Sequence, residues 1–350
     1  MCLPQQHAIK GNLSATASVK VLLVFVLLIV ALCFGMYVGM MSAQRHYEVT
    51  TKPSIGVAKR KASPTFVVEK HHKEAFDREH ETTKEVPKAK ATPRRETVIE
   101  SGTELKRENL GSLLLSHKRQ LDTLKPHLPI FLRRALDGER IERPLWELEL
   151  SHLRVKVPSV ALTLDAHFED KYVPKILSVL KRYNVRVTFF LTGHWVDSFP
   201  DSLRAIASDG HELGNHTYSH PKLSSLPDDS IIEEVKRTEQ AMLRVLNDAT
   251  PITPYVRPPY GDRDERVVHL LLSAGYIPTY WAVDSLDWKK GISGDEVVSR
   301  VLNKASSGDI ILMHASSGIT AEVLPRVIEG LFQKGFEVCS LSELIMRSVE

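Results

Sequence analysis

Two histidines four residues apart stand in the run Gly214-Asn215-His216-Thr217-Tyr218-Ser219-His220-Pro221. On one helical turn such a pair projects from the same side, which suits two ligands on one metal ion. Alone, the spacing also fits surface histidines or buried, hydrogen-bonded ones. Pro221 stops any turn at once and predicts a short, rigid element. Upstream, Asp165 closes an apolar run in Leu162-Thr163-Leu164-Asp165-Ala166-His167. A carboxylate there either caps the next helix or takes the proton of a metal-bound water as general base. Arg257-Pro258-Pro259-Tyr260-Gly261 is a stiff turn that either presents the Arg257 guanidinium and the Tyr260 amide in fixed directions or is an ordinary loop. Asp284-Ser285-Leu286-Asp287-Trp288 joins two carboxylates to an aromatic wall, and Ile310-Ile311-Leu312-Met313 delivers His314 at the end of an apolar run. A lone histidine in such a place is more often structural. With a carboxylate such as Asp287 beside it, it becomes a cationic general acid. The chemistry these residues suit is metal-assisted hydrolysis.

The elements that must carry them follow from periodicity. Beyond residue 157, apolar and β-branched runs appear at 160–164, 185–191, 277–283, 309–313 and 336–341. Amphipathic helices lie between several of them: Val173, Ile176, Leu177 and Leu180 share one face, as do Ile231, Val235 and Met242, and later Leu324, Val327, Ile328 and Leu331. Strands alternating with helices predict βαβ units and a mostly parallel sheet. In such sheets function collects at the C-terminal strand ends. Asp165, Asp284 and His314 all sit at those ends.

The N-terminal part reads differently. Residues 21–41 carry no charge and would rise roughly 31 Å as a helix, enough to cross a bilayer. We expect an uncleaved single-pass anchor after a short cytoplasmic stretch at 1–20, with a cleaved signal peptide as the alternative. Lys10 and Lys20 precede the span, whereas Arg45, Lys52, Lys59, Arg60 and Lys61 follow it, so flanking charge does not by itself place the C-terminal side outside. Residues 42–108 are rich in Lys, Glu, Thr and Pro and read as a disordered linker with a reach on the order of 40 Å. Residues 109–155 regain apolar residues at helical spacing and predict a helical extension without chemistry, leaving 156–350 as the catalytic domain. Lys and Arg number 46 against 43 Asp and Glu, a net charge of +3 that gives no basis for nucleic-acid binding. Cys2, Cys33 and Cys339 form neither a disulfide framework nor a Cys-x-x-Cys zinc pair, so any metal falls to histidines and carboxylates.

Taken in order, T-x-D, H-[ST]-x-x-H-P, R-P-P-Y-G, D-x-x-D-W and apolar-L-M-H resemble the five motifs of the polysaccharide deacetylase family, the NodB-like domain of carbohydrate esterase family four. The resemblance covers roughly 157–350. It implies a distorted (β/α) barrel that removes N-acetyl groups from an extracytoplasmic polysaccharide, with a divalent metal such as zinc or cobalt as cofactor. Carried onto this chain, it implies Asp165 as base, Arg257 holding that base, and His216 and His220 as metal ligands. It further implies the Tyr260 amide as oxyanion donor and His314 as acid oriented by Asp287 rather than Asp284. Trp288 and Met313 are implied as the lining around the acetyl methyl group. One departure stands out. The family's first motif is T-F-D-D-G, and here Ala166 and His167 replace its second Asp and its Gly. Three accounts follow: His167 or Asp165 supplies the third ligand, water fills the gap, or no metal binds. The corresponding functional alternatives are a non-catalytic glycan-binding homologue and a hydrolase of another amide or ester.

Overall fold

The computed structural model describes residues 117–246 and 252–349. The expected span at 21–41 and the expected linker at 42–108 lie outside them, as does the start of the helical extension. Among the described residues no helix is long and apolar enough to cross a membrane.

Eight parallel strands form one curled sheet: β1 (Ser159–Ala166), β2 (Thr188–Leu191), β3 (Glu212–Asn215), β4 (Ile252–Val256), β5 (Ile277–Pro278), β6 (Val283–Asp284), β7 (Ile310–His314) and β8 (Glu337–Cys339). Their order is β5-β4-β3-β2-β1-β7-β6, with β8 pairing to the first residues of β1. β1 is central and all eight of its residues are buried, as a strand covered on both faces requires.

Two layers of core follow from strand alternation. Val160, Leu162, Leu164 and Ala166 of β1 and Ile311 and Met313 of β7 face the surrounding helices, chiefly α2 (Val173–Arg182), α7 (Gly294–Lys304) and α8 (Gly318–Gln333). Ala161 and Ile310 point the other way, into the concave side, with Phe190 and Tyr255. The expected helical faces of α2, α5 (Asp228–Val245) and α8 are all buried.

The concave side is filled by the N-terminal extension. It is helical over 117–124 and in α1 (Ile130–Leu136), and it places Leu124, Leu128, Leu132, Leu148, Leu150 and Leu153 in the concave cluster. Leu150 bridges to Thr279 just beyond β5, and His152 bridges to Asp309 just before β7. The extension thus runs from the β5 edge of the sheet to the start of β7, the strand next to the β6 edge, and covers part of the edge that an incomplete barrel leaves. Gly308, at φ +94, permits this closeness, since a Cβ there would lie 1.7 Å from the Leu153 carbonyl oxygen. The run expected as one strand at 277–283 is two short strands at opposite edges, because the chain crosses the mouth of the sheet between them.

Candidate active site

Asp165 and His314 are register partners at the ends of adjacent strands β1 and β7, so their side chains rise on one face of the sheet. Thr163 and Leu312 form the pair one step below. Arg257, which follows β4, is wholly buried under this floor. Its Nη1 donates to Asp165 Oδ1 at 2.7 Å and to Thr163 Oγ1 at 2.9 Å, its Nη2 donates to the Tyr280 carbonyl at 3.1 Å, and its Cζ lies over the Phe190 ring, 4.0 Å from the centroid. Burial alone would raise the Asp165 pKa. The Arg257 guanidinium, hydrogen-bonded to it, outweighs burial and, with His314, holds the carboxyl below its ordinary value. Asp165 is therefore an anion even though it is 2% exposed.

His314 has the opposite setting. Asp287, buried, accepts from His314 Nδ1 at 2.7 Å and from its backbone N–H at 2.7 Å, and it also accepts from the Thr320 hydroxyl. Burial would lower the imidazole pKa, but the Asp287 carboxylate, aided by Asp165, raises it to about 9. With Nδ1 committed to Asp287, the remaining proton sits on Nε2. Asp284 does not reach His314. It accepts from the Leu286 N–H at 2.8 Å and from the Trp288 indole N–H at 3.3 Å, so it fixes the aromatic wall, and burial raises its pKa.

His216 and His220 converge, but not on a helix. The chain leaves β3 in an open loop with Thr217 at φ 66 and His220 at φ 62. Asn215 Oδ1 accepts from the Thr217 N–H at 2.9 Å, and Glu234 on α5 accepts from the Tyr218 and Ser219 N–H groups at 2.9 and 2.7 Å. These bonds hold a left-handed turn that residues of this type would otherwise avoid. His216 Nδ1–H donates to the Arg257 carbonyl at 2.8 Å, which leaves the lone pair on Nε2, and burial lowers its pKa. That Nε2 lies 3.2 Å from His220 Nε2. Two nitrogens bound to a tetrahedral zinc at about 2.05 Å sit about 3.3 Å apart, so the pair fits one divalent cation. Asp165 Oδ2 is 3.5 Å from His216 Nε2. Among the described residues no three His, Cys, Asp or Glu side chains form a ready metal-binding group.

Two expectations are corrected. His167 stacks on His220 with centroids 4.6 Å apart and planes 3° apart. Imidazole lone pairs lie in the ring plane, so parallel rings do not aim at a common ion, and His167 is not a third ligand in this arrangement. Met313 is 0% exposed among the helix-facing core residues, on the face of β7 opposite His314. The residue beneath His314 on the site side is Leu312, because side chains alternate along a strand. Ala166 is also wholly buried in the helix-facing core, so the position where the family's first motif carries its second Asp puts only a methyl group into that layer.

Tyr260 lies at φ 60 and Gly261 at φ 64, two left-handed residues in succession that set the direction of the Tyr260 amide. A Cβ on Gly261 would come within 2.6 Å of the Tyr280 ring, so glycine is needed there. Thr163, Glu234 and Thr320 support the site and were missed in the sequence. Each acts through hydrogen bonds to partners at least 15 residues away, which no spacing rule reveals.

A buried carboxylate and a half-buried imidazole paired with a second carboxylate at one strand-end face, beside two nitrogens spaced for a metal, suit hydrolysis. Comparison with known proteins agrees. A profile of the family described as Polysaccharide deacetylase matches residues 153–278. A peptidoglycan-N-acetylglucosamine deacetylase of Bacillus cereus is 35% identical over 195 residues, covering 55% of this chain and 70% of that protein. Among solved structures, Bacillus subtilis PdaA, a family 4 carbohydrate esterase, superposes with TM-score 0.53 at 30% identity over 57% of this chain and 85% of that one. A CE4 family pseudoenzyme from Bacillus anthracis does so with TM-score 0.52 at 31% identity over 55% and 66%. The chain belongs to the polysaccharide deacetylase family, whose members include deacetylases, hydrolases of non-peptide carbon–nitrogen bonds, as well as a pseudoenzyme.

Proposed function

We propose that this chain removes N-acetyl groups from a cell-wall glycan outside the cytoplasm, peptidoglycan being the substrate named for its relatives. The observation that carries this reading is the facing pair at the ends of β1 and β7: Asp165 hydrogen-bonded to Arg257, and His314 hydrogen-bonded through Nδ1 to Asp287. His216 and His220 would hold a divalent metal, with Asp165 beside them. When bound, such a cation supplies Lewis acidity toward a water and the acetamide carbonyl. Asp165, kept ionised by Arg257, accepts the proton of the attacking water. The Tyr260 N–H donates to the oxyanion, an interaction typically worth about 3 kcal/mol per donor. His314 Nε2 gives its proton to the departing amine, and Asp287 holds the ring in place for it. Trp288 and Leu312 close the apolar side around the acetyl methyl.

The same reading includes a layout of cytoplasmic residues 1–20, a single-pass anchor at 21–41, a flexible tether at 42–108 and a barrel completed by the helical extension. It is supported by the apolar span and by the glycan substrates of the relatives. The test is acetate release from N-acetylglucosamine oligomers and peptidoglycan by the full chain with zinc or cobalt added. No release from any N-acetylated glycan by a folded chain overturns the proposal.

A second reading, a glycan-binding homologue without turnover, is favoured by Ala166. A mutant of the similar pseudoenzyme is described as having restored enzymatic activity. This reading predicts glycan binding without acetate release in the wild type.

A further inference from the structure

Phe168 is a large apolar side chain that the fold does not use. Its phenyl is 69% exposed, two residues beyond the end of β1 on the site face of the sheet. A single exposed apolar residue needs no explanation by itself. The loop beneath this one is pinned, however. The buried Trp195 indole N–H donates to the Glu169 carbonyl at 3.2 Å, Ser202 Oγ donates to the Asp170 carboxylate at 2.6 Å, and the Val173 N–H donates to the Asp170 carbonyl at 2.9 Å. The chain after Phe168 is fixed, and the ring is presented outward from a fixed base.

What the ring touches is the second observation. Its centroid is 4.0 Å from that of His167, His167 stacks on His220 at 4.6 Å, and His220 meets Tyr260 edge-on at 4.5 Å. Four rings in contact run from an open rim to the imidazoles of the site. His167 is a link in this strip and stands where the family's first motif has glycine, so the continuity belongs to this chain's own sequence. A pyranose carries an apolar C–H face and a rim of hydroxyls. It packs its face on an aromatic ring while the hydroxyls remain in water, as amphipathic ligands do at mostly apolar sites with few polar anchors.

We propose that Phe168, continued by His167, is a sugar-stacking subsite for the pyranose next to the one whose acetamide reaches the His216–His314 centre. It rests on the glycan-deacetylase reading and adds to it a place for the neighbouring sugar. The subsite makes the protein select chains over single sugars, because only a chain occupies both positions at once.

The test uses the full chain, titrated calorimetrically with N-acetylglucosamine pentamer and monomer, with KM and kcat for acetate release measured beside it. Phe168→Ala weakens pentamer binding about ten-fold, the value expected when a sugar face covers on the order of 50 Å² of apolar ring. The kinetic loss falls on KM. Phe168→Trp restores binding, and Phe332→Ala, an exposed aromatic on the last turn of α8, binds as the wild type does. Because the phenyl is exposed, the melting temperature of Phe168→Ala stays at the wild-type value, which separates lost binding from lost fold. Equal pentamer affinity in wild type and Phe168→Ala overturns the subsite and leaves the deacetylase reading standing. So does an equal loss for monomer and pentamer, or failure of Phe168→Trp to restore binding. A wild-type chain that binds neither sugar and releases no acetate overturns the reading and the subsite together.

Discussion

His216, buried just past β3, and His314, half-buried at the end of β7, differ in charge: the first is neutral and the second cationic. The difference lies in what each Nδ1 faces. His216 donates to a neutral carbonyl, that of Arg257, and burial keeps its ring neutral with a lone pair on Nε2. His314 donates to the Asp287 carboxylate, and that charge raises its pKa to about 9. On the proposed reading, a change of one hydrogen-bond partner suits the first ring to hold a metal and the second to act as an acid. Residue type alone does not assign the role; the atom behind the ring does.

The contrast is broken most severely at the acid itself. His314→Gln is expected to lower kcat by about 10²–10⁴-fold, the usual span for a lost general acid, while metal affinity stays as in the wild type. His216→Gln should do the reverse in its first readout. Equilibrium dialysis should show metal affinity falling by at least the ~10–100-fold that loss of an outer-sphere partner costs. Equal metal loss in both variants would erase the distinction between the two rings.

Asp287→Asn sharpens the comparison by giving His314 a neutral partner, as His216 has. The wild-type profile of kcat/KM should fall as pH rises through about 9, because His314 must be protonated to act. In the variant that limb should move down toward the ordinary histidine range, about 6.5. Stability follows the same sign. The folded pKa of His314 lies above its unfolded value, so its contribution is fully present below about pH 6.5 and disappears as pH rises through about 9. Melting curves of wild type and Asp287→Asn should therefore differ most near pH 6 and least above pH 9. A constant gap would contradict the pairing.

The smallest effect belongs to the aromatic wall. Trp288→Phe removes an indole N–H that reaches Asp284 at 3.3 Å, and it should cost about 1 kcal/mol or less in stability with only a few-fold change in KM.

Much of this fold was written in hydrophobic periodicity. The faces of α2, α5 and α8 and the runs that became β1, β2 and β7 are long enough for a period to show. β3 and β4 were not legible: Glu212–Asn215 is four residues containing Gly and Asn, and Ile252–Val256 contains a proline. Both are strands because their neighbours pair with them, which is tertiary context. In the site, the histidine spacing foretold convergence for a reason the structure replaces, since a Glu234-anchored loop brings the rings together instead of a helical turn. Met313 was misplaced by one residue, because near a strand end alternation decides which side chain faces the site. The Asp287–His314 contact joins residues 27 apart in the chain, and nothing in the sequence distinguished Asp287 from Asp284 except the resemblance.

The most direct test of the account is the pH dependence of acetate release from an N-acetylated glycan by the metal-supplemented full chain, wild type beside Asp287→Asn. Turnover that declines through about pH 9 in the wild type and at lower pH in the variant is the expected result. Turnover with the same alkaline limb in both, or no turnover by either, would contradict it.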